Sequence, residues 1–166
     1  RLTPRRRPVP RLLALVLVLG LCAVLMPAAA RAQVDIREVQ SPGGISAWLV
    51  EAPEIPFTAL EIRFPGGASL DPEGQGGAVS LMTALLEEGT GALDARAFAA
   101  AAEGLAASFG FSAGRDAVSV SARFLTENRD EAVELLRGAL VAPRLDPEAL
   151  ERVRAQTLAT IRADAR

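Results

Sequence analysis

From residue 34 onward the apolar positions follow two periods. Residues 34–39 and 45–51, split by Ser41-Pro42-Gly43-Gly44, have the alternation and turn chemistry of a β-hairpin, and the second arm carries the only tryptophan, Trp48. Residues 57–64 put Leu60, Ile62 and Phe64 on one face and Glu61 and Arg63 on the other, which predicts a half-buried strand ended by Pro65-Gly66-Gly67. Residues 108–113 predict a short strand, Gly114-Arg115-Asp116 a turn, and residues 117–124 a clearer strand, with Val118, Val120 and Ala122 alternating with Ser119, Ser121 and Arg123.

Between these runs the period lengthens. In residues 74–90, GQGGAVSLMTALLEEGT, a glycine-rich turn precedes Ala78, Leu81, Met82, Leu85 and Leu86 at three- and four-residue steps, and Gly89-Thr90 stops the run. One face of this central helix is expected to pack on a sheet, while Ser80, Thr83, Glu87 and Glu88 point elsewhere. Asp94 is placed to cap a slim, alanine-rich helix over residues 95–107. Thr126 is placed to cap another over residues 127–141, with Ala132, Leu135, Leu136 and Leu140 inward. Pro143 breaks it, and Asp146 with Pro147 at the first helical position opens a last helix from residue 148 to the end. Strand pairs interleaved with helix pairs predict an α+β fold: a two-layer sandwich, mostly antiparallel, with helices on one face of the sheet.

The N-terminal stretch has a different character. Arg5, Arg6, Arg7 and Arg11 precede an apolar run over residues 12–26, and Ala30-Arg31-Ala32 is a small-x-small cleavage site. Residues 1–32 therefore predict a Sec signal cleaved near Ala32 and an exported, periplasmic mature protein, since the apolar run falls short of the ~20 residues of a membrane span. Its loss removes six of the 18 arginines and no acid, leaving 12 bases against 20 acids, a charge of −8. Such a surface repels a phosphate backbone, so nucleic acid is not an expected partner, and the membrane is met only through the signal. Cys22 is the sole cysteine and leaves too, which excludes thiol and disulfide chemistry from the mature region. The chain begins without methionine and ends inside an expected helix, as a piece of a longer protein would, truncated at its C-terminus.

The chemistry-bearing candidates reduce quickly. Gly110-Phe111-Ser112-Ala113-Gly114 fits the Gly-x-Ser-x-Gly spacing, but a strand follows where a helix is required, and the chain has no histidine to act as base. Gly74-Gln75-Gly76-Gly77 lacks the third glycine of a dinucleotide loop and reads as a turn opening a helix. Glu87 and Glu88 project about 100° apart on a helix and read as a solvated end, as do Glu103, Asp130, Glu131 and Glu134.

The order strand, Gly66-Gly67-Ala68-Ser69-x-Asp71-Pro72, glycine-rich turn, helix, Gly89-Thr90 resembles the N-terminal domain of the insulinase/pitrilysin/mitochondrial-processing-peptidase family of zinc peptidases, M16, with a metallohydrolase fold that is typically duplicated. The resemblance spans residues 34–166. In active members the helix carries His-x-x-Glu-His, two zinc ligands and a general base. Counting back from Gly89-Thr90, those positions fall on Ser80, Thr83 and Ala84, and the third ligand, a glutamate on the last helix, falls on Thr160, with a further family glutamate near Val153 or Arg154. Neither catalytic residues nor a zinc site are expected here, and no cofactor; zinc is expected in a catalytic partner. The resemblance also implies that Ser108, Phe109, Gly110, Phe111, Ser112 and Ala113 form a sheet edge to which substrate peptide adds as a strand. The function it implies is that of a non-catalytic subunit that pairs with an M16 subunit carrying His-x-x-Glu-His and positions peptide. The alternatives are a zinc endopeptidase whose site lies outside this piece, and a structural scaffold.

Overall fold

A computed structural model describes residues 34–164, so the signal expected over residues 1–32 lies outside the described residues. The chain divides into two compact units between Glu51 and Ala52. In the first, β1 (Ile36–Gln40) and β2 (Ser46–Val50) form the expected antiparallel hairpin, with Ile36 opposite Val50 and Gln40 opposite Ser46. Its turn closes on Ser41, whose carbonyl accepts from Gly44 N–H at 2.9 Å and whose Oγ accepts from Ile45 N–H at 3.1 Å.

The second unit is built on a three-stranded antiparallel sheet of order β3 (Phe57–Pro65), β7 (Ala117–Leu125), β6 (Ser108–Ala113). The register places Leu60 opposite Ala122, Ile62 opposite Val120 and Phe109 opposite Ala122. One face is therefore apolar, and Val120, Ala122 and Phe124 are buried on it against Ala132 and Leu136 of α3 (Arg129–Val141), with Ile62, Leu105, Ala107, Phe109, Phe111 and Leu140 packed around them. Burying each large member is worth roughly 1.5–3 kcal/mol. The other face carries Ala59, Glu61, Arg63, Ser108, Ser112, Ser121 and Arg123, all exposed. The helices thus lie on one side of the sheet, as the alternation requires. Leu60 and Phe64, expected inward, remain exposed because β3 is an edge strand and the buried cluster is centred on β7.

The central helix, α1 (Ala78–Leu85), is shorter than its apolar pattern and is turned relative to it. Thr83 is buried with Leu85 and Leu86, whereas Ala78 and Met82 are exposed. The helix serves two neighbours: it packs against β6 and against α4 (Pro147–Asp164), where Leu85 and Leu81 meet Ala149 and Val153. A face divided between two partners is not the face that a single apolar stripe marks.

Gly89-Thr90 is a two-residue strand, β4, paired with β5 (Leu93–Asp94), rather than a simple stop. Gly89 adopts φ +120, and a Cβ there would lie 2.4 Å from the Leu93 carbonyl oxygen. Thr90 is buried and its hydroxyl donates to the Ala142 carbonyl at 3.0 Å, tying this corner to the end of α3.

Helix α2 (Ala95–Gly104) starts as expected, with Asp94 Oδ1 accepting from Ala97 N–H at 2.8 Å. It ends three residues early. Ala107 N–H bonds the Ala102 carbonyl and Ala106 N–H the Glu103 carbonyl, a Schellman closure with Ala106 at φ +49 in the place usually held by glycine. Thr126 opens a 3₁₀ turn (Thr126–Asn128) before α3, and its hydroxyl meets Thr58 at 3.1 Å instead of capping. Asp146 begins α4 through its carbonyl, which accepts from Leu150 N–H, while its carboxylate pairs with Arg144 at 2.7 Å.

Candidate functional site

The glycine-rich loop after β3 is a joint between two elements. Its first half holds the β6–β7 turn: Gly66 N–H donates to the Asp116 carbonyl, Ala68 N–H to that of Gly114, and Ser69 N–H to that of Arg115, at 2.8–2.9 Å. Gly67 has φ +88, and a Cβ on it would lie 2.4 Å from the Gly114 carbonyl oxygen. Only glycine lets the two backbones approach this closely. Its second half holds α1. Asp71 accepts from Gly77 N–H at 2.6 Å and from Val79 N–H at 2.8 Å, so its carboxylate satisfies donors at the helix N-terminus and lies at the positive end of the helix dipole. The Gly-Gly-Ala-Ser-x-Asp-Pro stretch therefore sets where β6 lies relative to the helix.

On that helix Ser80 is half-buried, Thr83 is 3% exposed and Ala84 is exposed. Thr83 Oγ1 donates back to the Ser80 carbonyl at 2.9 Å, which satisfies its buried hydroxyl within its own helix. Thr160 lies in α4, with its side chain outside the described residues. Val153 packs against Leu85 in the α1–α4 contact, and Arg154 is exposed. Zinc takes imidazole, thiolate or carboxylate donors. The three helix positions offer two hydroxyls and a methyl, so the residues present do not fit the metal. No group of three His, Cys, Asp or Glu that could hold a metal ion occurs among the described residues.

β6 is bonded to β7 on one side only, and α1 packs beside it. Residues of an antiparallel strand alternate between pointing their main-chain groups at the partner and away from it. Gly114 N–H bonds the Ala117 carbonyl. The even-numbered residues Ser108, Gly110 and Ser112 thus face β7, and Phe109, Phe111 and Ala113 present their N–H and C=O groups at the free edge. Their side chains go the other way from those of the serines: Phe109 and Phe111 pack into the core, Phe109 with its ring centroid 6.0 Å from that of Phe98. On the uncovered face, Ser108, Gly110, Ser121, Arg123 and Glu61 line a shallow depression of about 400 Å³.

Of Glu87 and Glu88, read from sequence as a solvated end, Glu87 is exposed and Glu88 is engaged. Glu88 pairs with Arg152 of α4 through both carboxylate oxygens. Partial burial of the Glu87 carboxyl, and then the neighbouring Glu88 charge, push its pKa above the ordinary carboxylate value, and the Phe111 N–H pulls it partly back. Sequence reasoning missed the Glu88 pair because Arg152 lies 64 residues away, on α4.

Comparison with known proteins matches this geometry. The chain is 34% identical over 107 residues to a Helicobacter pylori protein described as non-peptidase homolog YmxG, a match covering 64% of this chain and 25% of that protein. It superposes on a Pseudomonas fluorescens structure described as a peptidase M16 inactive domain with TM-score 0.71 and 31% identity, over 76% of this chain and 31% of that one. Pitrilysin shares the fold, with TM-score 0.66 and 20% identity over 80% of this chain and 14% of its own. The chain thus spans about a quarter to a third of the length of the first two relatives. Residues 47–164 match the family described as Insulinase (Peptidase family M16), so the chain belongs to that family.

Proposed function

We propose that the full-length protein is a non-catalytic M16 subunit, exported by the signal in residues 1–32, that pairs with a zinc-bearing M16 subunit and positions extended peptide. The observation that carries this reading is the juxtaposition at α1 and β6. The helix positions that would supply ligands and base hold Ser80, Thr83 and Ala84, while the edge strand beside them keeps outward main-chain groups at Phe109, Phe111 and Ala113. Strand addition needs backbone more than side chains, so it survives the loss of metal donors. The descriptions of two relatives, a non-peptidase homolog and an inactive domain, support the first half of the reading.

Purification of the tagged full-length protein from its native host tests the pairing. A subunit carrying His-x-x-Glu-His should accompany it at equal stoichiometry. Isolation as a monomer with no M16 partner overturns the pairing, and chelator-sensitive peptide hydrolysis by the protein alone overturns the non-catalytic assignment.

A further inference from the structure

The depression of about 400 Å³ on the uncovered sheet face runs from β3 to the free edge at β6. Its residues stand in register: Glu61, Ser121 and Gly110 form one row across the three strands, and Ala59, Arg123 and Ser108 the next. Gly110 keeps the first row open at the edge. A Cβ there would lie 2.8 Å from Ser121 Oγ, so the absence of a side chain is what leaves the floor low where a further strand would arrive. Arg123 supplies a cation with a ring for a neighbour. Its guanidinium carbon lies 5.1 Å from the centroid of the Phe57 ring, and no ion pair to Arg123 or to Glu61 is found among the described residues. The two charges line the same depression, so an acidic side chain entering it is repelled by Glu61 and a basic one by Arg123. A neutral ring escapes both penalties and is drawn to the guanidinium.

We propose that Gly110 and Arg123 form a subsite for an aromatic side chain, carried by the residue of an added strand that stands opposite Gly110. This rests on the strand-addition reading above and names its ligand class, an extended peptide with phenylalanine, tyrosine or tryptophan at that position. Gly110 turns its main-chain groups to β7, so the residue facing it across the β6 edge makes the close, non-hydrogen-bonded kind of pair, with Cα atoms about 4.5 Å apart. The side chain of that residue leaves on the same face as the depression. A ring there covers the glycine, as aromatic residues do across from glycine in sheets, rests on the Ser108 and Ser121 side chains and meets Arg123 from the side away from Phe57.

The test uses full-length protein and four fluorescein-labelled peptides of alternating threonine and valine, in which the central threonine is replaced by phenylalanine, cyclohexylalanine, alanine or glutamate, read by fluorescence anisotropy. The wild type should bind the phenylalanine peptide about tenfold more tightly than the alanine peptide and about threefold more tightly than the cyclohexylalanine peptide, which has the bulk without the π face. Gly110→Val fills the depression and should bring the phenylalanine and alanine peptides within about twofold of each other. Gly110→Val combined with Ser121→Ala, which removes the hydroxyl that the new Cβ would meet, should do the same and guards against a variant that fails to fold. Arg123→Gln should erase the difference between phenylalanine and cyclohexylalanine while both still exceed alanine, and Glu131→Gln, an exposed acid on α3, should keep the wild-type ranking. A phenylalanine preference that persists in the Gly110 variants, or equal binding of the phenylalanine and alanine peptides by the wild type, overturns the subsite and leaves strand addition standing. A glutamate peptide that binds most tightly gives the depression to a carboxylate and overturns the aromatic assignment. Failure of all four peptides on the wild type, or equal binding by peptides N-methylated at alternate residues, overturns strand addition at β6 and this inference with it.

Discussion

Thr83 shows what a carboxylate at that position of α1 would meet. The residue is 3% exposed and its hydroxyl is satisfied by the Ser80 carbonyl. Thr83→Glu places a carboxylate there with no cation beside it, and chemical denaturation should show a loss of more than about 2 kcal/mol. Ser80→His and Ala84→His, at half-buried and exposed positions, should each stay within about 1 kcal/mol of the wild type. Gly67 is the second position with a steep cost: alanine there meets the Gly114 carbonyl at a φ reserved for glycine, and the loss should be on the order of 3 kcal/mol. Glu87 gives a pH signature. Its pKa is raised on folding, so the folded state holds the proton more tightly and the stability tied to this group is complete below the unfolded value near 4.5. That stability is lost as pH rises from there through the folded value. Denaturation midpoints measured from pH 4 to pH 7 should therefore fall less in Glu87→Gln than in the wild type, and a steeper fall in the variant would contradict the assigned environment.

Helix ends carry the next set of expectations. Asp71 is separated by six residues from the first N–H it satisfies, and it lies outside the turn that immediately precedes α1, so no local capping pattern marks it. Asp71→Ala should cost about 1–2 kcal/mol and raise amide exchange in the first turn of α1, leaving α2 unchanged. At the far end of α2, Ala106 sits at φ +49 in the glycine position of a Schellman closure, and Ala106→Gly should raise stability by about 0.5–1 kcal/mol, read as a higher melting temperature. These two cases explain what the sequence made legible. Strands β3, β6 and β7 and the start of α2 follow from alternation and from the Asp94 cap, which act over a few neighbouring residues. The two-residue strands β4 and β5 are too short to have a period. The early end of α2 is local but sits on an alanine where glycine is the usual signal, while the turned face of α1 and the Glu88–Arg152 pair depend on contacts between residues distant in the chain. The lack of an imidazole pair was legible for a different reason: a sequence without histidine cannot supply one under any alignment.

At the scale of the molecule, the proposed non-catalytic role requires that the M16 scaffold stand without the metal. In this chain the positions beside the helix that a metal would brace are held by packing and main-chain bonds instead: Asp71 at the start of α1, Leu85 against Ala149 and Val153, Thr90 against the end of α3. If zinc were a resident ligand of the full-length protein, it would bind the folded state alone and stabilise it by mass action, by about 2.7 kcal/mol at a free concentration one hundred times its Kd. A gain of that size moves the melting temperature of a domain of 150–250 residues by several degrees, roughly 2–4 °C for each kcal/mol. The proposed non-catalytic role predicts that full-length protein, melted after dialysis against chelator and again with micromolar zinc, gives midpoints within about 1 °C of each other. It also predicts that elemental analysis finds zinc well below one per chain. The expected partner should behave oppositely, losing several degrees and its peptidase activity on chelation and regaining both with zinc. A mixture of the two should then show one chelator-sensitive transition and one insensitive one, assigning the metal to a single subunit. A zinc-dependent shift in this protein alone would place a metal site outside residues 34–164 and return the chain to the peptidases.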